Sequence, residues 1–270
     1  MNDGTIRIDD PDDPRLAPYR DIRERDLVGR HERFIAEGKV VLNVLLAARR
    51  FEAESVLVLE SRLLGLEETL RQARPGLPVY VAPAEIMDRV AGFHVHRGIL
   101  AIGKRQPPQS AAALLASLPD TALIVALAGI ANHDNMGAIF RNAAGFGANA
   151  LLLDETCCDP LYRKSIRVSV GAALKVPFTV AGSAEDMVAA LTGAGFSIVA
   201  LSPRGEKSIR DLRPEKRTAL LLGSEGEGLP GRLMARLTTA RIPMVDDFDS
   251  LNVATASAIA LYELSTAGRR

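Results

Sequence analysis

Three polar stretches in the second half of the chain hold the residues best suited to bind and activate a ligand. The first is Asn132-His-Asp-Asn-Met-Gly-Ala-Ile-Phe-Arg141, followed by Asn142-Ala-Ala-Gly-Phe-Gly147. An apolar strand ends near Leu127, a polar loop follows, and a helix is expected over about 136–146 with Asn135 as its N-cap. Gly137 lets another backbone approach. A guanidinium such as Arg141, at the carboxyl end of a parallel strand, is well placed to grip phosphate. A surface ion pair is the plain alternative for it. The second stretch is Leu220-Leu-Leu-Gly-Ser-Glu-Gly-Glu-Gly-Leu-Pro230. A buried strand runs into a loop with Gly223, Gly226 and Gly228. No Gly-Lys-Ser/Thr is present, and two glutamates would repel phosphate, so a neutral or cationic ligand suits it better. A simple glycine turn is the alternative. The third stretch joins Ile242-Pro-Met244 to Ser250-Leu-Asn-Val253 through Val245-Asp-Asp-Phe-Asp249. Pro243 stops a central strand. The acidic loop must be solvated or liganded. Ser250 or Asn252 is a good N-cap for a helix over 252–265 that is apolar on most faces, and so expected to pack on most faces.

The elements that would position these loops alternate regularly. Strands are expected at 33–36, 55–59, 79–81 and 98–102, with helices at 39–48, 62–72 and 84–90 between them. This rhythm implies a small α/β sandwich over residues 30–104. Residues 1–29 read as a loose polar tail, and Arg20, Arg23, Arg25 and Arg30 as a solvated edge. Residues 105–119, with tandem proline, read as a linker. A second domain over 120–270 opens on Ala122–Leu127, a continuous apolar run of the kind buried in a parallel sheet. Further strands are expected at 150–153, 177–180, 197–201, 218–222 and 241–242. Helices are expected at 160–173, 184–194 and 229–237. Gly145-Phe-Gly147-Ala-Asn-Ala150 matches a dinucleotide fingerprint but sits at a helix end rather than a helix start, so it reads as a stop signal.

Composition narrows the classes. The 270 residues are long enough for one large or two ordinary domains. Lys+Arg and Asp+Glu balance at 33 each, so a nucleic-acid partner would need a local basic patch. Aromatics are 4% and Trp is absent, which argues against stacking platforms for single strands. Cys157 and Cys158 are the only cysteines and are adjacent, so neither a disulfide framework nor a zinc site is expected. A reducing cytoplasm fits. No signal peptide and no apolar run of membrane-spanning length are visible. His94-Val-His96 lacks further ligands for a metal. Arg49-Arg50 ends a helix and complements its dipole. Arg163, Lys164 and Arg167 beside Tyr162 read as a solvated helix face, or as a phosphate-contacting patch if near the site.

Taken together and in order, Asn135-x-Gly137-x-x-x-Arg141, Leu222-Gly-Ser-Glu-Gly226, and Ile242-Pro-Met244 with Ser250-Leu-Asn-Val253 resemble the three motifs of the SpoU (TrmH) family of RNA ribose 2′-O-methyltransferases, in the SPOUT superfamily. The resemblance covers residues 122–265, and the first domain resembles the ribosomal-protein-like substrate-binding domain of many members. One departure is visible: the family usually has glycine two residues after Ile-Pro-Met, where this chain has Val245-Asp246. The resemblance implies an α/β SPOUT domain with a parallel sheet and a deep trefoil knot. It implies S-adenosylmethionine held by Leu201, Gly223, Ile242, Met244, Leu251 and Asn252. It implies catalytic roles for Asn135, Arg141, Glu225, Ser250 and Asn252, with Arg141 acting as base or as phosphate clamp. It implies RNA (rRNA or tRNA) as substrate, a homodimer through the C-terminal domain, no metal and no membrane. A non-catalytic RNA-binding or ribosome-assembly protein of the same fold is the alternative, and methylation of a base rather than a ribose is a third.

Overall fold

A computed structural model describes residues 5–20, 32–224, 226, 228–245 and 250–266. The chain forms two compact units, one of residues 1–107 with 161–175 and one of residues 108–160 with 176–270.

The first unit contains β1 (Thr5–Arg7), β2 (Arg33–Glu37), α1 (Lys39–Ala47), β3 (Phe51–Leu59), α2 (Glu67–Arg71), β4 (Val79–Ala82), α3 (Ala84–Ala91) and β5 (Ile99–Arg105). Its sheet has the order β1-β4-β3-β5-β2. β4 runs parallel to β1 and β3, while β5 is antiparallel to β3 and β2. β3 begins at Phe51, four residues earlier than its β-branched centre suggested. Phe51 is buried and packs edge-on against Phe34 at 5.2 Å. The register shift between Ala53 and Ser55 frees Glu54 to receive Arg33 through two hydrogen bonds of 2.7 and 2.8 Å. The helix expected over 62–72 is shorter than its pattern: Gly65 lies in a 3-10 turn, and α2 forms only after it.

The loose tail expected over 1–29 is corrected for its described part. Thr5–Arg7 adds a parallel strand beside β4, and Leu16 and Tyr19 are fully buried. The Tyr19 hydroxyl meets Ser55 Oγ at 2.7 Å, which satisfies two polar groups that burial would otherwise penalise. Three strand residues and two buried side chains are too short a pattern to stand out among the aspartates. Arg20 pairs with Asp12, while Arg23, Arg25 and Arg30 lie outside the described residues.

The second unit begins with α4 (Ala111–Ala116), β6 (Ala122–Leu127), α5 (His133–Gly145) and β7 (Ala150–Leu153). The chain then makes α6 (Arg163–Val168) and α7 (Ala172–Lys175). The single helix expected over 160–173 is broken between them. Val170 takes φ 53°, unusual for a β-branched residue, and Gly171 takes φ 82°. This segment clusters with the first unit: Arg163 pairs with the buried Glu37 at 2.9 Å and stacks on Phe93 at 4.6 Å. Arg163 is thereby removed from the basic patch considered with Lys164 and Arg167.

The chain continues through β8 (Phe178–Val180), α8 (Ala184–Gly193), β9 (Ser197–Leu201), β10 (Lys207–Ser208), β11 (Arg217–Leu222), α9 (Gly231–Met234), β12 (Thr238–Arg241) and α10 (Val253–Thr266). The sheet order is β10-β12-β9-β11-β6-β7-β8, with every neighbouring pair parallel. β6, β7 and β11 are almost wholly buried, as runs such as Ala-Leu-Ile-Val-Ala-Leu require. β10 was not anticipated, and the helix expected over 229–237 shrinks to four residues. After α5, Gly147 turns at φ 74° into the strand that starts at Ala150, so the glycines there end a helix. No helix among the described residues is long and apolar enough to cross a membrane.

Leu16→Ala tests whether the N-terminal segment belongs to the core. It should lower stability to urea by about 2–5 kcal/mol, as cavity-forming substitutions do. A tail residue would change it by less than roughly 0.5 kcal/mol.

Candidate active site

Parallel strands all end on the same edge of their sheet, so the loops that follow neighbouring strands meet there. Here the loops after β9, β11 and β12, which are adjacent in the sheet, enclose a cavity of about 360 Å³ with the start of α10. That size lies in the range of small-molecule sites, roughly 300–1,000 Å³. Leu201, Gly223, Ile242, Met244, Leu251 and Asn252 all line it, as do Ser224 and Ser250. Apolar side chains and backbone dominate, with a few hydroxyl and amide groups. Such a lining fits a nucleoside with an apolar-contacting sulfonium arm better than a polyphosphate.

The loop after β11 is folded tightly on itself. Ser224 bridges to Gly228, and Gly226 and Gly228 take φ of 100° and 68°. A Cβ on Gly223 would lie 2.6 Å from the Gly228 carbonyl carbon and 2.7 Å from Leu229 N. Glycine is therefore required by backbone approach at Gly223 and by conformation at Gly226 and Gly228. The loop after β9 is equally constrained, because a Cβ on Gly205 would fall 2.2 Å from the Ala240 carbonyl carbon. Glu225 and Asp246 lie outside the described residues. Val245, in the departure from the family pattern, is 80% exposed.

The helix α5 starts earlier than its pattern suggested, and this corrects the capping residue. Asn132, not Asn135, is the N-cap: its Oδ1 accepts from Asp134 N at 2.8 Å and Asn135 N at 3.4 Å. Both asparagines are chemically competent caps, so residue type alone could not separate them. The side chain of Asn135 is buried and serves another purpose, accepting from Asn252 Nδ2 at 2.9 Å. Asn252 is the cap of α10, its Oδ1 accepting from Ala254 N at 2.9 Å and Thr255 N at 3.2 Å. Thus the first and third stretches are joined at the cavity wall.

Arg141 is exposed on α5, does not line the cavity of its own chain, and forms no ion pair among the described residues. α10 is less enclosed than its sequence suggested. Val253, Ala254, Ser257, Ala260, Leu261 and Leu264 are buried, but Thr255 and Tyr262 are exposed. Tyr262 meets Phe146 edge-on at 6.1 Å.

Below the loops, Asp154 at the end of β7 accepts from Gly129 N and from Thr156 N and Oγ1 at 2.9–3.1 Å. Gly129 takes φ 72°, and a Cβ there would touch Ser224 at 3.2 Å, so this network supports the glycine loop from beneath. Sequence reasoning did not single out Asp154 or Gly129. Cys157 lies alongside, with its Sγ accepting from Ile130 N at 3.3 Å. His94 and His96 stack edge-to-face at 4.6 Å with Asp88 on His94, and no group among the described residues could hold a metal ion.

Two measurements check this geometry. Gly223→Ala should weaken S-adenosylmethionine binding by about 5- to 150-fold in calorimetry, since overpacking of about 1–3 kcal/mol must be relieved by moving the loop. Unchanged affinity would show that the loop does not shape the cavity. Burial pushes the thiols of Cys157 and Cys158 up to about 12 and about 11. Only thiolate alkylates. At pH 8 iodoacetamide should therefore label both slowly in the folded chain and quickly in denaturant, with the folded rate rising as pH climbs toward 11.

The SpoU rRNA methylase family profile matches residues 122–262. An uncharacterised tRNA/rRNA methyltransferase of Mycobacterium bovis is 41% identical over 269 residues, 96% of this chain and 91% of that protein. Among solved structures, an S-adenosylmethionine-bound rRNA methyltransferase from Sinorhizobium meliloti superposes with a TM-score of 0.81 at 22% identity, covering 97% of each chain. An RNA 2′-O ribose methyltransferase superposes at 0.77 with 26% identity, covering 98% of each. The fold is thus the SPOUT type, with the parallel sheet of the second unit as its knotted domain. The chain belongs to the SpoU rRNA methylase family.

Proposed function

We propose that this chain transfers a methyl group from S-adenosylmethionine to a ribose 2′-hydroxyl of RNA. The observation that carries the reading is one cavity at the ends of β9, β11 and β12, lined by the second and third motif loops and joined to the first through the Asn252–Asn135 hydrogen bond. When bound, S-adenosylmethionine supplies an electrophilic methyl on a sulfonium. The chain's own residues must hold donor and hydroxyl in line, exclude water, and ease proton loss.

The mixed walls at Leu201, Gly223, Ile242, Met244, Leu251 and Asn252 hold the adenosine. Ser250 and Asn252, which line the cavity, and Asn135, bonded to Asn252, orient the hydroxyl. Glu225 is assigned alongside them from its motif. Arg141 clamps the phosphate next to the target ribose. A guanidinium hardly deprotonates, so a clamp that stabilises developing alkoxide charge suits it better than a general base.

The working form is a homodimer in the cytoplasm. Arg141 is exposed and off the cavity wall of its own chain, and half-buried Ile259 and exposed Tyr262 give α10 an apolar outer side for a second copy. The first unit, residues 30–104 at its centre, holds rRNA or tRNA.

The test uses tritiated methyl donor and total RNA from a strain lacking the protein, with digestion to locate label on 2′-O-methylribose. Arg141→Ala should lower kcat by about 100-fold or more while donor affinity in calorimetry stays unchanged. Label on bases, or full activity in the variant, would overturn the assignment of product or of roles. Wild-type chain that binds no donor and labels no RNA would identify a non-catalytic RNA-binding protein.

A further inference from the structure

The motif residues leave one polar cluster, of half-buried Asn142 and buried Ser257, unexplained. Asn142 follows Arg141 on α5, and its Nδ2 donates to Ala254 O at 2.8 Å and to Ser257 Oγ at 2.9 Å. Ser257 is fully buried and donates to the same Ala254 carbonyl at 2.7 Å. The three groups close a triangle between α5 and the first turns of α10.

Helical geometry gives the triangle its meaning. Residues seven apart fall on the same face, so Asn135 and Asn142 point toward α10 together. Asn135 meets Asn252 just before α10 begins, and Asn142 meets its second turn. Two polar contacts along one face fix both the rotation and the axial position of α5 against α10. A single polar contact would leave that register to the apolar packing of Met136, Ile139, Phe140 and Ala143 alone. Arg141 lies about 100° round the helix from Asn142, so any rotation of α5 swings its guanidinium.

We propose that Asn142 and Ser257 are positioning residues for methyl transfer: they lock the face of α5 that bears Arg141 in register with the cavity wall at Asn252. This rests on the methyltransferase reading above. Neither truncation strips a buried group of all partners. In Asn142→Ala, Ser257 Oγ keeps its bond to Ala254 O. In Ser257→Ala, Asn142 keeps Ala254 O. Both variants should therefore fold, and their defect should fall on the reaction rather than on donor binding.

The experiment measures kcat and KM with tritiated S-adenosylmethionine and total RNA from a strain lacking the protein. Donor Kd is measured separately by calorimetry. Asn142→Ala should lower kcat by about 10- to 100-fold, the scale of a misplacement of about 1 Å, with donor Kd within about threefold of wild type. Ser257→Ala should lower kcat in the same direction but less. The double variant should be no worse than Asn142→Ala, because both act through one triangle. Wild-type kcat in Asn142→Ala, loss of donor affinity in proportion to activity, or additive defects in the double variant would each overturn the proposal. If Asn142→Ala does not fold, Ser257→Ala alone decides, on the same kcat-against-Kd split. Wild-type chain that labels no RNA would instead bring down the methyltransferase reading, and this inference with it.

Discussion

The amide of Asn252 can meet its obligations in one orientation only. Its oxygen is committed to the backbone N–H groups of Ala254 and Thr255, which no earlier turn of α10 can satisfy. Its nitrogen is then left facing the Asn135 oxygen, and a flipped amide would set donor against donors at the helix start and oxygen against oxygen at Asn135. A requirement of helix termination is thereby converted into a fixed link between two loops distant in sequence. The cavity wall at Ser250–Val253 inherits that rigidity, because it is the same few residues.

The parallel sheet supplies the rest of the preorganisation. β6, β9 and β11 lie side by side, and β6 and β11 carry little but aliphatic side chains. Slippage by one residue would turn buried Leu and Ile toward different neighbours along the whole strand. The strand ends are therefore placed by the apolar core, well away from any polar chemistry. The loops depart from those fixed points. Close backbone approaches at Gly205 and Gly223 show how little spare room they have.

Legibility in the sequence followed the length and redundancy of each signal. β6, β7, β9 and β11 were readable because four to six consecutive apolar residues between polar loops have few other meanings, whereas β10 and most of β12 carry no such run. The residues of the cavity wall were placed by motif resemblance, not by periodicity. Periodicity alone would have left Leu201 as one more strand residue. The N-terminal strand was hidden because Thr5–Arg7 borrows its stability from β4 and from Leu16 and Tyr19, which lie outside its own pattern. The cap of α5 was misplaced because Asn132 and Asn135 offer the same side chain three residues apart, and only tertiary contact with Asn252 separates their uses. Asp154 gave no signal at all: a lone carboxylate after a strand looks like any turn residue until Gly129 and Thr156 are seen around it.

The placement of residues 161–175 has a topological outcome. The segment lies between β7 and β8 in sequence, yet its partners are Glu37, Phe93 and, at Gly171, Val44. The chain therefore passes between the two units three times, at 107–108, 160–161 and 175–176. A fragment starting at Pro108 would carry this segment without the Glu37, Phe93 and Val44 against which it packs. A nick at 107–108 would leave residues 161–175 of the first unit covalently joined to the second, with residues 1–107 joined to that segment by packing alone.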